Sequence, residues 1–269
     1  MQQIKKKIAN PDQKRPHSAR QEYIQSLEKG IMVIKAFGNG REDLTMAEIA
    51  RLVGLSRAAT RRFLFTLETL GYVRSEGRYF RLQPKLLELG YSYLASIPWW
   101  RHAQHRAEEL ARDTGLPAAV SVLDGDHTVY VALANPQPFL ALGNNVGTKF
   151  PAFISAGGRV LIAHMEEAQR EKLLAKATLP ALTPLTITDP DKLRKVLAQV
   201  KEQGFAGIDE ELNLGVRSLA VPIFDRNYRV PGALGISVRV PNISMKELMQ
   251  RYLPKLRATA SSISEQLPS

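Results

Sequence analysis

The stretch Leu44-Thr45-Met46-Ala47-Glu48-Ile49-Ala50-Arg51-Leu52-Val53-Gly54-Leu55-Ser56-Arg57-Ala58-Ala59-Thr60-Arg61-Arg62-Phe63-Leu64 settles how the first third of the chain folds. Thr45 followed three residues later by Glu48 is a capping box: the threonine oxygen takes the amide at 48 and the glutamate reaches back to the amide at 45. The helix it opens, 46–52, turns Ile49 and Leu52 inward and ends near Gly54. Ser56 is the N-cap of the next helix, 57–70, in which Thr60, Phe63, Leu64 and Leu67 recur at helical spacing and face a core. Its opposite face gathers Arg57, Ala58, Arg61 and Arg62. A short helix, a turn at glycine and a second helix with a small, basic outer face make a helix-turn-helix. Small side chains leave room for a major groove, and guanidinium groups bond guanine edges or phosphates.

Working outward, Leu27, Ile31 and Ile34, with Met32 beside them, predict an apolar helical stripe that stops at Gly38-Asn39-Gly40. On the other side, 71–82 reads as two short strands around Ser75-Glu76-Gly77, decorated by Arg74, Arg78 and Arg81. A basic hairpin after a helix-turn-helix is a wing, able to lie along a phosphate backbone. Residues 1–21 are polar, with clustered Lys/Arg, and read as a flexible basic arm that either threads into a minor groove or hangs free. The charge balance agrees. The 269 residues carry 37 Lys/Arg against 26 Asp/Glu, net +11, of which residues 1–82 hold +8 and the remaining 187 only +3. A basic first third on a nearly neutral remainder is the footprint of a nucleic-acid-binding module joined to something else.

The length predicts two domains, and 44% apolar with 23% charged residues excludes a largely disordered chain. Zero cysteines exclude disulfide scaffolds, iron–sulfur centres, thiolate metal sites and cysteine nucleophiles. No secretory signal is read in 1–20 and nowhere do 18 apolar residues run together, so a cytoplasmic protein without a membrane partner is expected. After a winged domain at 22–83, residues 84–114 read as a helical linker. Its first helix, 85–96, is rich in Leu and Tyr and suits a dimer seam as well as a spacer. Pro98 breaks it, and Trp99-Trp100 begin a second helix ending at Gly115. His102 and His105, at i and i+3, read as surface histidines because no third metal ligand is near.

Residues 115–269 alternate strands and helices. Strands 118–123 and 128–133 flank the turn Asp124-Gly125-Asp126, and a short strand follows at 139–142. Helices are expected at 160–165, 166–176 and 189–204, strands at 205–208, 218–224 and 233–239, and a closing helix at 244–267 interrupted at Pro254. No strand leads into a phosphate-binding glycine fingerprint, which excludes a doubly wound nucleotide fold.

Two places in this second domain suit a ligand. In Ser155-Ala156-Gly157-Gly158-Arg159, small residues at a helix start leave backbone amides uncovered at the positive end of the dipole, which suits a carboxylate; the alternative is a glycine-rich loop packed under a sheet. In Asp209-Glu210-Glu211 with Gly215-Val216-Arg217-Ser218, acids and a hydroxyl can hydrogen-bond a polar ligand; the alternative is a surface acid run paired with Arg217. The effector-binding candidates are therefore Ser155, Ala156, Gly157, Gly158, Asp209, Glu211 and Ser218. The DNA-binding candidates are Ser56, Arg57, Ala58, Arg61, Arg62, Arg74, Arg78 and Arg81. His127 and Tyr130 fall where strand alternation leaves their direction open. No nucleophile-elbow, zinc-protease or phosphate-loop motif is present, so no catalytic residue, metal or cofactor is expected.

The segments 44–62 and Leu67-Glu68-Thr69-Leu70-Gly71-Tyr72-Val73 resemble the winged helix of the IclR family of bacterial transcription regulators. Further on, Gly147-Thr148-Lys149-Phe150-Pro151, Ser155 to Ala163 and Leu214-Gly215-Val216-Arg217-Ser218-Leu219-Ala220-Val221-Pro222 resemble that family's C-terminal domain. Within it, 77–84, Leu89-Gly90-Tyr91-Ser92-Tyr93-Leu94, Ser121-Val122-Leu123-Asp124-Gly125 and Tyr130-Val131-Ala132 are similar to the branch governing catabolism of protocatechuate and 4-hydroxybenzoate. The resemblance implies a GAF-like effector domain, a dimer often paired into a tetramer, and an aromatic acid or β-ketoadipate-type carboxylate as effector.

The fold expected is α+β: an N-terminal winged helix-turn-helix, a helical linker, and a C-terminal GAF-like effector-binding domain with a central antiparallel sheet. The expected partners are double-stranded promoter DNA, a small carboxylate effector, and a second copy as homodimer or dimer of dimers. Two other readings fit the residues by themselves. One is an enzyme using Asp209, Glu210 or His127 as acid or base; the other is a structural oligomerisation domain fused to the same DNA module.

Overall fold

The computed structural model describes residues 23–38, 42–136, 144–240 and 243–267. The basic arm at 1–21 and the strand expected at 139–142 lie outside the described residues. The chain divides into two compact units, Met1–Tyr93 and Leu94–Ser269.

In the first unit, α1 (Gln25–Lys35) precedes β1 (Leu44–Thr45), α2 (Met46–Val53), α3 (Arg57–Thr69), β2 (Val73–Glu76) and β3 (Tyr79–Leu82). The capping box forms as its spacing requires: Thr45 Oγ1 accepts from the Glu48 amide at 3.3 Å, and Glu48 Oε2 accepts from the Thr45 amide at 2.8 Å. Gly54 ends α2 at φ 69°, a left-handed backbone open to glycine at little cost. The wing is a three-stranded sheet in the order β1-β3-β2, with Leu44 opposite Phe80.

Val33, Phe37, Ile49, Val53, Leu64, Leu67 and Val73 make the core of this unit. One inward expectation is corrected: Leu52 is exposed, because Ile49, Ala50 and Val53 fill the inner arc of α2. Of the α1 stripe, Ile34 and Met32 pack against this core, while Leu27 and Ile31 are exposed.

A 3₁₀ turn, Pro84–Leu86, leads into α4 (Leu87–Ala95), none of whose residues is buried. The second unit holds α5 (Trp100–Thr114), β4 (Ala118–Asp124), β5 (His127–Ala134), β6 (Lys149–Pro151), α6 (Ala156–Ala163), α7 (Glu167–Leu174), α8 (Pro190–Gln203), β7 (Ala206–Asp209), β8 (Val216–Ile223), β9 (Gly232–Arg239) and α9 (Met245–Ser264). Its six-stranded sheet runs β6-β5-β4-β9-β8-β7 with every neighbouring pair antiparallel.

Strand alternation gives that sheet two covered faces. Val120, Leu219 and Leu234 pack under α5 and α9, while Ala220 and Ala233 lie under α6 and α8. Ala103, Ala107, Leu110 and Ala111 of α5 are buried in the first of these layers. The part of 84–114 that follows Pro98 is therefore core of the second unit rather than spacer, which revises the expected linker. Pro254 does not interrupt α9 either. Its missing N–H removes one helical bond, but Leu248, Tyr252, Leu256, Ala260 and Ile263 anchor the helix to the sheet on both sides of it.

Candidate functional site

The outer face of α3 starts at Ser56, whose Oγ accepts from the Ala59 amide at 3.2 Å. Ser56, Arg57, Ala58, Arg61 and Arg62 are all exposed. Among the described residues no carboxylate pairs with the guanidinium groups of Arg57, Arg61 and Arg62. Three unpaired cations on one short helical arc make a positive surface ready for phosphate.

The wing arginines are engaged. Arg81 donates from Nε and Nη2 to both oxygens of Asp43 at 2.8 Å each, and this hydrogen bonding, with the guanidinium charge behind it, holds the Asp43 carboxyl below the usual carboxylate range. Arg74 pairs with Glu76. Arg78 lies 4.9 Å from the centre of the Tyr79 ring and donates to its hydroxyl at 2.7 Å. Arg81 is thus a strut that ties β3 to the approach to β1, and each of the three wing arginines has a partner on the protein surface. Asp43 carried the signal for this, since it directly precedes the strand that pairs with β3.

In the second unit a small cavity of about 40 Å³ opens beside the first turn of α6. The hydroxyls of Ser121, Thr128, Tyr130, Ser155 and Ser218 line it together with Ala156, Gly157, Leu212 and Ile236. Ser155 is the N-cap of α6, its Oγ accepting from the Gly158 amide at 3.2 Å and lying 3.3 Å from Thr128 Oγ1. Ser218 Oγ is 2.9 Å from Ser237 Oγ. The amides of Ala156 and Gly157 belong to the first turn and have no acceptor within the helix. Burial pushes the Tyr130 hydroxyl up to about 12, so it remains a proton donor throughout the physiological range. No ionisable carboxylate, ammonium or guanidinium lies among these lining residues.

Of the predicted effector residues, the structure brings Ser155, Ala156, Gly157 and Ser218 together at the cavity. Gly158, Asp209 and Glu211 are not among its lining residues. A Cβ on Gly158 would sit 2.1 Å from the Ala152 carbonyl oxygen, so this glycine serves close backbone packing. Asp209 pairs with Arg217 at 2.6 Å at the sheet edge. Glu211 is buried and takes Arg159 through two hydrogen bonds of 2.7 and 2.6 Å. Arg159 also donates to the Phe153 carbonyl at 2.8 Å, and Glu211 accepts from the Ile187 amide at 3.2 Å. The geometry is that of a satisfied internal ion pair, which keeps both charges away from a ligand.

Tyr130 faces the cavity, while His127 turns to Asp126 at 2.6 Å. Ser121 and Thr128 went unread as site residues. Their signal was a hydroxyl within a largely apolar strand, since a buried polar group needs a use or a partner.

An α3-type helix with a wing and a separate sensor-like sheet with a cavity under α6 fix the comparison with known proteins. The IclR helix-turn-helix domain matches residues 26–77, and the bacterial transcriptional regulator IclR C-terminal domain matches residues 91–265. The chain belongs to the IclR family. Family members are transcriptional regulators, not enzymes, and the enzyme alternative lapses.

A Pca regulon regulatory protein of Pseudomonas putida is 37% identical over 91% of this chain and 85% of its own. The p-hydroxybenzoate hydroxylase transcriptional activator of Acinetobacter baylyi is 32% identical over 92% of this chain and 95% of its own. A solved structure from a Rhodococcus species, 37% identical, superposes with a TM-score of 0.83 over 91% of this chain and 98% of that one. No helix among the described residues is long and apolar enough to cross a membrane.

Proposed function

We propose that this regulator works in the cytoplasm as a homodimer or dimer of dimers. It reads promoter DNA through Ser56, Arg57, Ala58, Arg61 and Arg62 of α3, with Arg74, Arg78 and Arg81 along the backbone. Its DNA affinity answers to an aromatic acid or a ring-opened dicarboxylate derived from one. The cavity beside α6 carries this reading. Uncovered amides of Ala156 and Gly157 and a ring of neutral hydroxyls suit a carboxylate that brings its own charge, with apolar walls for the carbon skeleton. The names of the Pseudomonas and Acinetobacter relatives support the aromatic class. At about 40 Å³ the cavity has room for only a few waters, so a ring enters only as its walls yield. The subunit contact is supported by apolar side chains left in water: Ile24, Leu27 and Ile31 on and beside α1, and Leu87, Leu89, Tyr91 and Tyr93 on α4.

Two measurements test this. In a thermal-shift series with 4-hydroxybenzoate, protocatechuate and β-ketoadipate, at least one acid stabilises the full chain and changes its affinity for its own promoter region, and Gly157→Ala abolishes both effects. If none of the three acids moves either quantity, the effector class is wrong. For the DNA face, Arg61→Ala costs about 1–3 kcal/mol of discrimination between site and scrambled duplex if the guanidinium reads a base, and weakens both alike if it holds phosphate. Unchanged footprints on both duplexes remove Arg61 from the interface.

A further inference from the structure

Successive residues of a helix turn by about 100°, which sets Phe65 between Arg61 and Arg62 on the outward arc, two turns beyond Ala58. The ring is 70% exposed, whereas Leu64 and Leu67 beside it are buried. A phenyl group in water on the arc that carries three unpaired guanidinium groups lacks the burial that its neighbours have. The acid on this part of the helix is already used, because Glu68 accepts from the amide of Ser75 at 3.0 Å and from its hydroxyl.

Charge decides what covers the ring. A second copy of the same face would bring like charges together with no carboxylate free to compensate. Duplex DNA supplies phosphates for the arginines and, on the major-groove edge of thymine, an apolar methyl of matching chemistry. Phe65 stands about 6 Å along the helix axis from Arg61, roughly two base-pair rises.

We propose that Phe65 is a specificity-determining residue whose ring packs against a thymine 5-methyl in the major groove, about two base pairs from the position that Arg61 occupies. The inference rests on the DNA-reading face proposed above. It adds a base requirement that arginine contacts alone do not give: a thymine at one fixed place in each half-site.

The test uses the full chain and a duplex that this chain selects from a random-sequence pool. Each thymine of that duplex is replaced in turn by deoxyuridine, which removes the methyl and keeps the pairing. Affinities are measured for the unaltered protein, Phe65→Ala and Arg61→Ala. One substitution per half-site should weaken the unaltered protein about fourfold, the worth of one apolar carbon withdrawn from water. That same substitution should leave Phe65→Ala unaffected, since the ring that felt the methyl is gone. Deoxyuridine effects that are absent, or equal in both proteins, overturn the proposal. So does a change of sedimentation mass in Phe65→Ala, which would make the ring a subunit contact. Weakened binding by Arg61→Ala with no role for Phe65 rejects this inference alone, whereas unchanged binding by both variants rejects the DNA face itself.

Discussion

α3 and α6 begin in nearly the same way. Each has a serine N-cap whose hydroxyl accepts the amide three residues on, at 3.2 Å in both, and each follows it with small residues and an arginine. In α3 the first turn stands in solvent and Arg57, Arg61 and Arg62 are exposed. In α6 the first turn is folded against β4 and the segment before it, and Arg159 is buried on Glu211. The same local signal thus yields an exposed basic surface in one unit and a cavity wall in the other. The difference lies in what surrounds each helix: three strands and two helices leave one side of α3 bare, whereas α6 is enclosed between a six-stranded sheet and α8.

The sharpest way to break this comparison is to remove the arginines. Arg159→Ala leaves Glu211 charged and buried without its partner and should cost about 3–5 kcal/mol in a denaturant titration, while Arg61→Ala should stay within about 0.5 kcal/mol. Equal losses would mean that α6 is no more enclosed than α3.

Close packing comes next. Gly158→Ala drives a Cβ into the Ala152 carbonyl and should cost about 1–3 kcal/mol, seen as a lower unfolding midpoint. Gly157→Ala meets the Ser121 hydroxyl at 2.3 Å, a group that can rotate, and should lose less stability. If the two glycine variants lose the same stability, backbone contact is not what separates these positions.

The caps give the smallest effect. Ser56→Ala should cost about 1 kcal/mol, and Ser155→Ala somewhat more because its hydroxyl also meets Thr128 in a buried site. A larger loss at Ser56 in the same titration would reverse the comparison.

Much of the molecule was legible along the chain. The Thr45–Glu48 box, the Gly54 stop, the inward Thr60, Leu64 and Leu67, and the β4–β5 hairpin all depend on neighbours within a few residues, and each formed at its expected place. Leu52 and Pro254 misled for a common reason. Periodicity marks a residue as apolar or helix-breaking, but the partner surface decides which apolar arc is covered and whether a broken bond matters. Of the effector candidates, Ser155, Ala156, Gly157 and Ser218 meet at one cavity, and a helix start and a polar residue in a strand are local signals. Glu211 lies outside that lining, on a partner, Arg159, 52 residues away that no local pattern could name.

By itself the sequence determined the helix caps, the strand alternation and the basic outer arc of α3, because these follow from spacings of a few residues. Only the tertiary structure decided which charges were spent. Arg81 on Asp43 and Arg159 on Glu211 are contacts across 38 and 52 residues, and no local pattern tells a guanidinium that will find a carboxylate from one left to meet DNA.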